Sequence, residues 1–182
     1  MPTRRQFLGA TVGAAAGATV LTRSGGSAGA AAAFSREFVR SEVPPLRIGI
    51  PAGWIAQSTW DSQSINPVPL VALMNRQFDV VTLTDSAIPN EALLPRDAVL
   101  LTLSGVPLAG EVGFLPPSSP LGRLTSDGLR FGPSGVGGFT LVSAWALSAD
   151  ASWGYMLYGW VGPNAGVDLT LMKSIADTVQ LG

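Results

Sequence analysis

The alternation of apolar and polar positions divides the chain near residue 33. Apolar residues run from Phe7 to Leu21, interrupted by Gly9, Gly13 and Gly17, and small residues continue to Ala33. Beyond that point the pattern predicts strands, loops and one closing helix. Residues 34–45 form a charged lead-in that ends at Pro44-Pro45. Leu46-Arg47-Ile48-Gly49-Ile50 alternates at period two and predicts a short strand. Pro51-Ala52-Gly53-Trp54 then turns the chain and brings in a large ring. Residues 55–66 are polar and predict a loop or a short helix, whereas 68–74 are almost continuously apolar, as in a strand buried on both faces.

The pattern continues with an extended piece over 78–83, a helical turn over 89–94 stopped by Pro95, and a central strand over 98–103. Residues 106–127 hold Pro107, Pro116, Pro117 and Pro120 and predict a long surface loop. A brief strand over 129–131 precedes the glycine-rich turn 132–138. Residues 139–147 and 153–161, joined by 148–152, predict the longest hairpin. Asp168 is placed to cap a helix reaching Val179, with Leu169, Met172, Ile175, Ala176 and Val179 at helical spacing. The expectation is one α+β domain over 34–182: an antiparallel sheet flanked by a C-terminal helix.

The first 33 residues read as an address. Thr3-Arg4-Arg5-Gln6-Phe7-Leu8 carries the twin-arginine export pattern, with Arg4, Arg5, Phe7 and Leu8 as the recognition residues. A spanning helix needs about 20 predominantly apolar residues; the run from Phe7 to Leu21 is shorter and diluted by glycine. Arg23 follows it, which disfavours the general secretory route. Cleavage is expected after Ala30 or after Ala33. The expected first partner is therefore the twin-arginine machinery, and the expected location is the cell envelope or the extracellular space, with no transmembrane anchor left after cleavage.

Composition narrows the chemistry. The whole chain has 11 basic and 12 acidic residues; Arg4, Arg5 and Arg23 fall in the leader, so 8 oppose 12 after cleavage. A mildly acidic body argues against nucleic acid as partner. Cysteine and histidine are both absent, which removes disulfides, thiolate and imidazole ligands and a lipid-anchored cysteine. No cofactor and no metal site is expected. Lys173 is the only lysine, and with abundant Ala, Gly and Pro this suggests a GC-rich genome, so that an actinobacterial source is expected.

Pro51-Ala52-Gly53-Trp54, the apolar run 69–74, Leu94-Pro95-Arg96-Asp97-Ala98-Val99-Leu100-Leu101, the strand pair and the last amphipathic helix together resemble a group of small secreted actinobacterial proteins of uncharacterised family. Their order is also similar to the PsbP-like fold, in which a Trp ends the first strand and a C-terminal helix packs on an antiparallel sheet. The resemblance implies binding or assembly and no common reaction.

Three chemistries remain to be weighed. A Ser–Lys nucleophile has only Lys173 and Ser174, which are adjacent on the predicted helix and point to different faces. A pair of carboxylates from Asp61, Asp79, Asp85, Glu91, Asp97, Glu111, Asp127 and Asp150 is the requirement for a secreted hydrolase, but turn-flanking Asp residues ordinarily cap backbone groups. Residues 132–138 lack the lysine of a phosphate loop. Aromatics supply the remaining lead. Alternation places Trp153, Tyr155 and Leu157 on one face of the last hairpin and Met156, Tyr158 and Trp160 on the other. One helix covers one face, so Tyr158 and Trp160 are the expected binding face for an envelope protein or lipid. The sequence thus predicts an exported, non-enzymatic binding or assembly domain, with a carboxylate-dependent hydrolase or a secretion-system accessory as the alternatives.

Overall fold

The most apolar stretches of the chain become its central strands. In the computed structural model, residues 18–21, 34–58, 68–77, 93–108, 119–135 and 137–182 are described. They form strands β1 (Ala18–Leu21), β2 (Phe34–Arg40), β3 (Leu46–Pro51), β4 (Ile55–Ser58), β5 (Val68–Met74), β6 (Val99–Pro107), β7 (Arg130–Pro133), β8 (Thr140–Leu147) and β9 (Trp153–Val161), then helix α1 (Leu169–Asp177) and strand β10 (Gln180–Leu181). The strands make two antiparallel sheets, ordered β1-β2-β3-β10 and β4-β5-β6-β9-β8-β7.

The expected α+β architecture, mostly antiparallel sheet with one C-terminal helix, is what these residues form, but the strands divide between two sheets. Three segments differ from the sequence reading. Residues 34–40 are strand β2, not a lead-in; the charges of Arg36 and Glu37 are tolerated because only Phe38 of this strand is buried. Residues 55–58 are strand β4, at the edge of the larger sheet, where Gln57 and Ser58 keep half-buried positions. Residues 180–181 form β10, which pairs antiparallel with β3. The central strand also outruns its expected end, reaching Pro107 opposite Trp153. The predicted pieces at 78–83 and 89–92 lie outside the described residues. So does the leader, apart from Ala18–Leu21, which pairs with β2.

The principal core lies between the sheets. Phe38, Leu46, Ile48 and Ile50 from the smaller sheet meet Leu73, Leu101, Leu103, Val142, Ala144, Tyr155 and Leu157 from the larger one. Helix α1 adds Met172, Ile175 and Ala176 to the same cluster. Its first turn is capped as expected: the Asp168 carboxylate accepts from the Thr170 N–H at 2.9 Å. At its other end the Thr178 hydroxyl donates to the Ile175 carbonyl at 2.6 Å and accepts from the Gly49 N–H at 2.8 Å, which fastens the helix to β3.

The turn at Pro51-Ala52-Gly53-Trp54 carries the chain from one sheet to the other. Gly53 has φ +79°, a conformation that side chains disfavour. Trp54 is 6% exposed and packs in the principal core, and its carbonyl accepts from Arg36 at 2.7 Å. Pro69 sits in a central strand at a register shift and beyond the last β4–β5 partner pair, Ser58 with Val71, where its missing N–H interrupts little of the ladder.

Trp54→Ala is expected to lower stability by roughly 3–5 kcal/mol, since it empties a buried ring at the junction of the sheets; chemical denaturation of the variant measures this. Gly162 follows β9 so closely that an added Cβ would lie 2.3 Å from the Arg96 carbonyl oxygen and 2.9 Å from that of Ala98. Backbone atoms cannot rotate away. Gly162→Ala is therefore expected to cost about 1–3 kcal/mol in the same assay, while Gly135→Ala, where a Cβ meets nothing within 4 Å, should change little.

Candidate functional site

The long hairpin of β8 and β9 forms as the alternation predicts, and its two faces have different surroundings. Tyr155, Leu157 and Val161 turn into the principal core together with the residues of α1. On the opposite face, Trp160 joins Ala72, Met74, Leu94, Leu100 and Phe139 in a second apolar cluster, with Tyr158 and Leu141 packed against it. Trp160 is only 1% exposed, so the expectation of an uncovered face at this residue is corrected. The reason lies in the neighbouring strands and in Phe139, which supply a second apolar layer that periodicity along β9 cannot reveal. Tyr158 remains half-buried, its ring 5.9 Å from that of Trp160.

Of the candidate acids among the described residues, Asp97 and Asp150 are engaged by other groups and Asp127 is exposed. Asp97 pairs with Arg76 across two half-exposed side chains. Asp150 organises the β8–β9 loop: its Oδ1 accepts from the Ser148 hydroxyl at 2.6 Å, the Ser152 hydroxyl at 2.7 Å and the Ser152 N–H at 3.0 Å. Ser148 Oγ in turn accepts from the Trp153 N–H at 2.9 Å. These bonds, the one from Ser148 foremost, bring the Asp150 pKa down to about 2. Asp127 lies exposed in a short 3-10 turn, Ser126–Gly128. Asp61, Asp79, Asp85, Glu91 and Glu111 lie outside the described residues, as do the address residues Arg4, Arg5, Phe7 and Leu8. Ser174 donates to the Thr170 carbonyl at 3.1 Å, and Lys173 is exposed. Gly137 and Gly138, both at positive φ, lie between β7 and β8, where the Ser134 N–H donates to the Phe139 carbonyl, so this glycine-rich region is a strand connection. Among the described residues, no three metal-ligating side chains come together, and no helix is long and apolar enough to cross a membrane.

A different site emerges where the smaller sheet meets the chain's last residues. An open groove of about 330 Å³ is lined by residues 39–41, 45–47 and 180–182. Two neighbouring segments, the end of β2 and the start of β3 after the cis Val43–Pro44 bond, build it together with the remote β10. The register sets Arg40 opposite Leu46, and Arg47 opposite both Val39 and Gln180. Arg40 shares the face of the buried Phe38, two residues earlier, so its stem runs along the edge of the core. Its Nε is buried and has no hydrogen-bond partner. Its Nη2 lies 3.6 Å from Glu42, with side-chain exposures of 22% and 52%. An orphaned buried donor costs roughly 1–3 kcal/mol, more when charged.

Tyr155 supports the floor of this groove from the other sheet. Its hydroxyl donates to the Pro45 carbonyl at 3.0 Å and lies 3.5 Å from that of Gly182. Burial pushes the phenol pKa up to about 12; the negative charge of Asp150 adds to this, and the positive charge of Arg40 works against it. The Pro45 carbonyl also accepts from the Gly182 N–H at 3.2 Å. The groove's backbone is thus held from two directions. The groove was not legible in the sequence, because the alternation of β3 marks Arg47 only as outward-facing and the partner segment 180–182 is remote. No protein-family model and no curated protein matches the chain.

Because the folded-state pKa of Asp150 is depressed from 3.8 to about 2, its contribution is present above the unfolded value and is lost as the pH falls through about 2. Asp150→Asn should therefore be less stable than wild type at pH 6, and the gap should narrow toward pH 2. Urea midpoints at the two pH values measure this; an unchanged gap would mean that the carboxylate charge does not hold the loop.

Proposed function

We propose that this chain is exported by the twin-arginine route and acts in the cell envelope or outside the cell as a non-enzymatic binding or assembly domain. The observation that carries the reading is the Arg4-Arg5 pair followed by Phe7-Leu8 and a short, glycine-diluted apolar run. The mildly acidic body and the groove between β2, β3 and β10 support a binding role. We include in this reading a PsbP-like kinship, supported by Trp54 at the end of β3 and by α1 packing against the sheets. The hydrolase alternative finds less support: Asp97 and Asp150 are each bound to other groups. A secretion-system accessory role would be distinguished by the identity of the partner.

Replacing Arg4 and Arg5 together by Lys is expected to leave the precursor in the cytoplasm, since the receptor reads paired guanidinium groups and an ammonium is no substitute. Cell fractionation with immunodetection is the readout, and export of the Lys-Lys variant at the wild-type rate would overturn the assignment. Affinity purification of the exported form from its native envelope would then identify what it holds.

A further inference from the structure

Strand register carries a row of side chains across the outer face of the larger sheet, away from the principal core. Arg130 of β7 stands opposite Ser143 of β8, and Ser143 stands opposite Tyr158 of β9. In the next row Trp145 stands opposite Met156. We propose that these residues form a shallow binding surface for a glycan of pyranose sugars; the proposal rests on reading the domain as a binding module and names its ligand class.

Position is the first argument. Trp145 and Met156 belong to neither apolar cluster, so the indole lies half-buried on the sheet without being absorbed into a core. Tyr158 packs against the second cluster and is itself half-buried. Thr102 and Ser104 share this face on β6 and are only 7% and 8% exposed, so the open part of the face lies over β8 and β9 and runs out to the edge strand β7. Tyr158 is the diagonal neighbour of Trp145 in the β8–β9 ladder, a spacing of roughly 7–8 Å that leaves both rings within reach of one ligand. Unused hydrogen-bonding capacity is the second. Among the described residues, the Ser143 and Tyr158 hydroxyls, the Trp145 indole N–H and the Arg130 guanidinium have no protein partner. Arg40 Nε is the side-chain polar atom buried without a partner among those residues, so the groups on this face are all open to water.

Chemistry is the third. The face of an aromatic ring carries negative charge density and attracts C–H groups, which bear a small positive charge on the flat side of a sugar. The hydroxyls on the rim of the sugar need donors and acceptors. Ser143 and Tyr158 supply both, and the indole and guanidinium supply donors. Rings and polar groups alternate on this surface as C–H faces and hydroxyls do on a pyranose. A protein partner would call for a larger apolar centre than one Trp and one Met provide. No carboxylate stands in either row, and Arg130 is exposed and makes no ion pair among the described residues. The β7 end therefore favours a sugar that carries an acid group.

The test titrates the full 182-residue chain with chitohexaose, a neutral oligosaccharide, and with hexagalacturonate, an acidic one, by calorimetry and by tryptophan fluorescence. Saturable binding of at least one is expected, weakened at least tenfold in Trp145→Ala and severalfold in Tyr158→Phe, with melting temperatures within a few degrees of wild type. Tyr158→Phe keeps the ring that packs against the second cluster, so it is informative even if Trp145→Ala loses its fold. Arg130→Gln should weaken hexagalacturonate severalfold and leave chitohexaose unchanged. Absence of saturable binding to both oligosaccharides, or binding indifferent to both aromatic variants, overturns the proposal. So does capture of an envelope protein that Trp145→Ala abolishes while neither oligosaccharide binds, a result that assigns the face to a protein. Export and recovery of a partner from the envelope are separate measurements, so failure here is distinct from failure of the broader function.

Discussion

Strand β6 is buried on both faces, from Val99 through Val106, and most of the architecture answers that condition. One face, with Val99, Leu101 and Leu103, is covered by the smaller sheet and α1. The other presents Leu100 to Met74 and Trp160. Thr102 and Ser104 share this second face, nearly excluded from water, and Thr102 meets the condition on buried polar groups by donating to the Tyr158 carbonyl at 3.3 Å. A strand enclosed in this way has neighbours on both edges too, β5 and β9. The four positions around β6 therefore fix the places of the remaining elements.

What the sequence made legible follows from the same condition. β5, β6, the β8–β9 hairpin and the Asp168-capped helix are long or strongly patterned, and local periodicity identified each. β2, β4 and β10 escaped because they are half-buried or only two residues long, and exist through pairing with distant partners. The faces of β9 were sorted correctly, yet alternation reports which residues share a face and not what lies on top of it. Trp160 was accordingly misjudged, while Trp54, flanked by a turn at a strand end, was placed in the core as expected. The groove was invisible for a further reason: its lining is assembled only when 180–182 are laid beside β3.

Tyr155 connects the two themes of core and groove. Its ring belongs to the apolar layer between the sheets, and its hydroxyl secures the carbonyl of Pro45 at the groove's base. The same side chain thus joins the larger sheet to the backbone that presents Arg40 and Arg47.

The bond between Gly49 and Thr178 joins residues 129 apart in sequence. Closing a loop of that length costs chain entropy before any contact offsets it, whereas the β8–β9 hairpin closes across a five-residue connection, 148–152. The larger sheet has β5, β6, β8 and β9 available once Val161 has been synthesised, but the smaller sheet lacks β10 until Leu181 is in place. A ribosome-bound intermediate would therefore hold β3 with one edge unpaired, and the lining of the groove would be complete only after the last strand had been added.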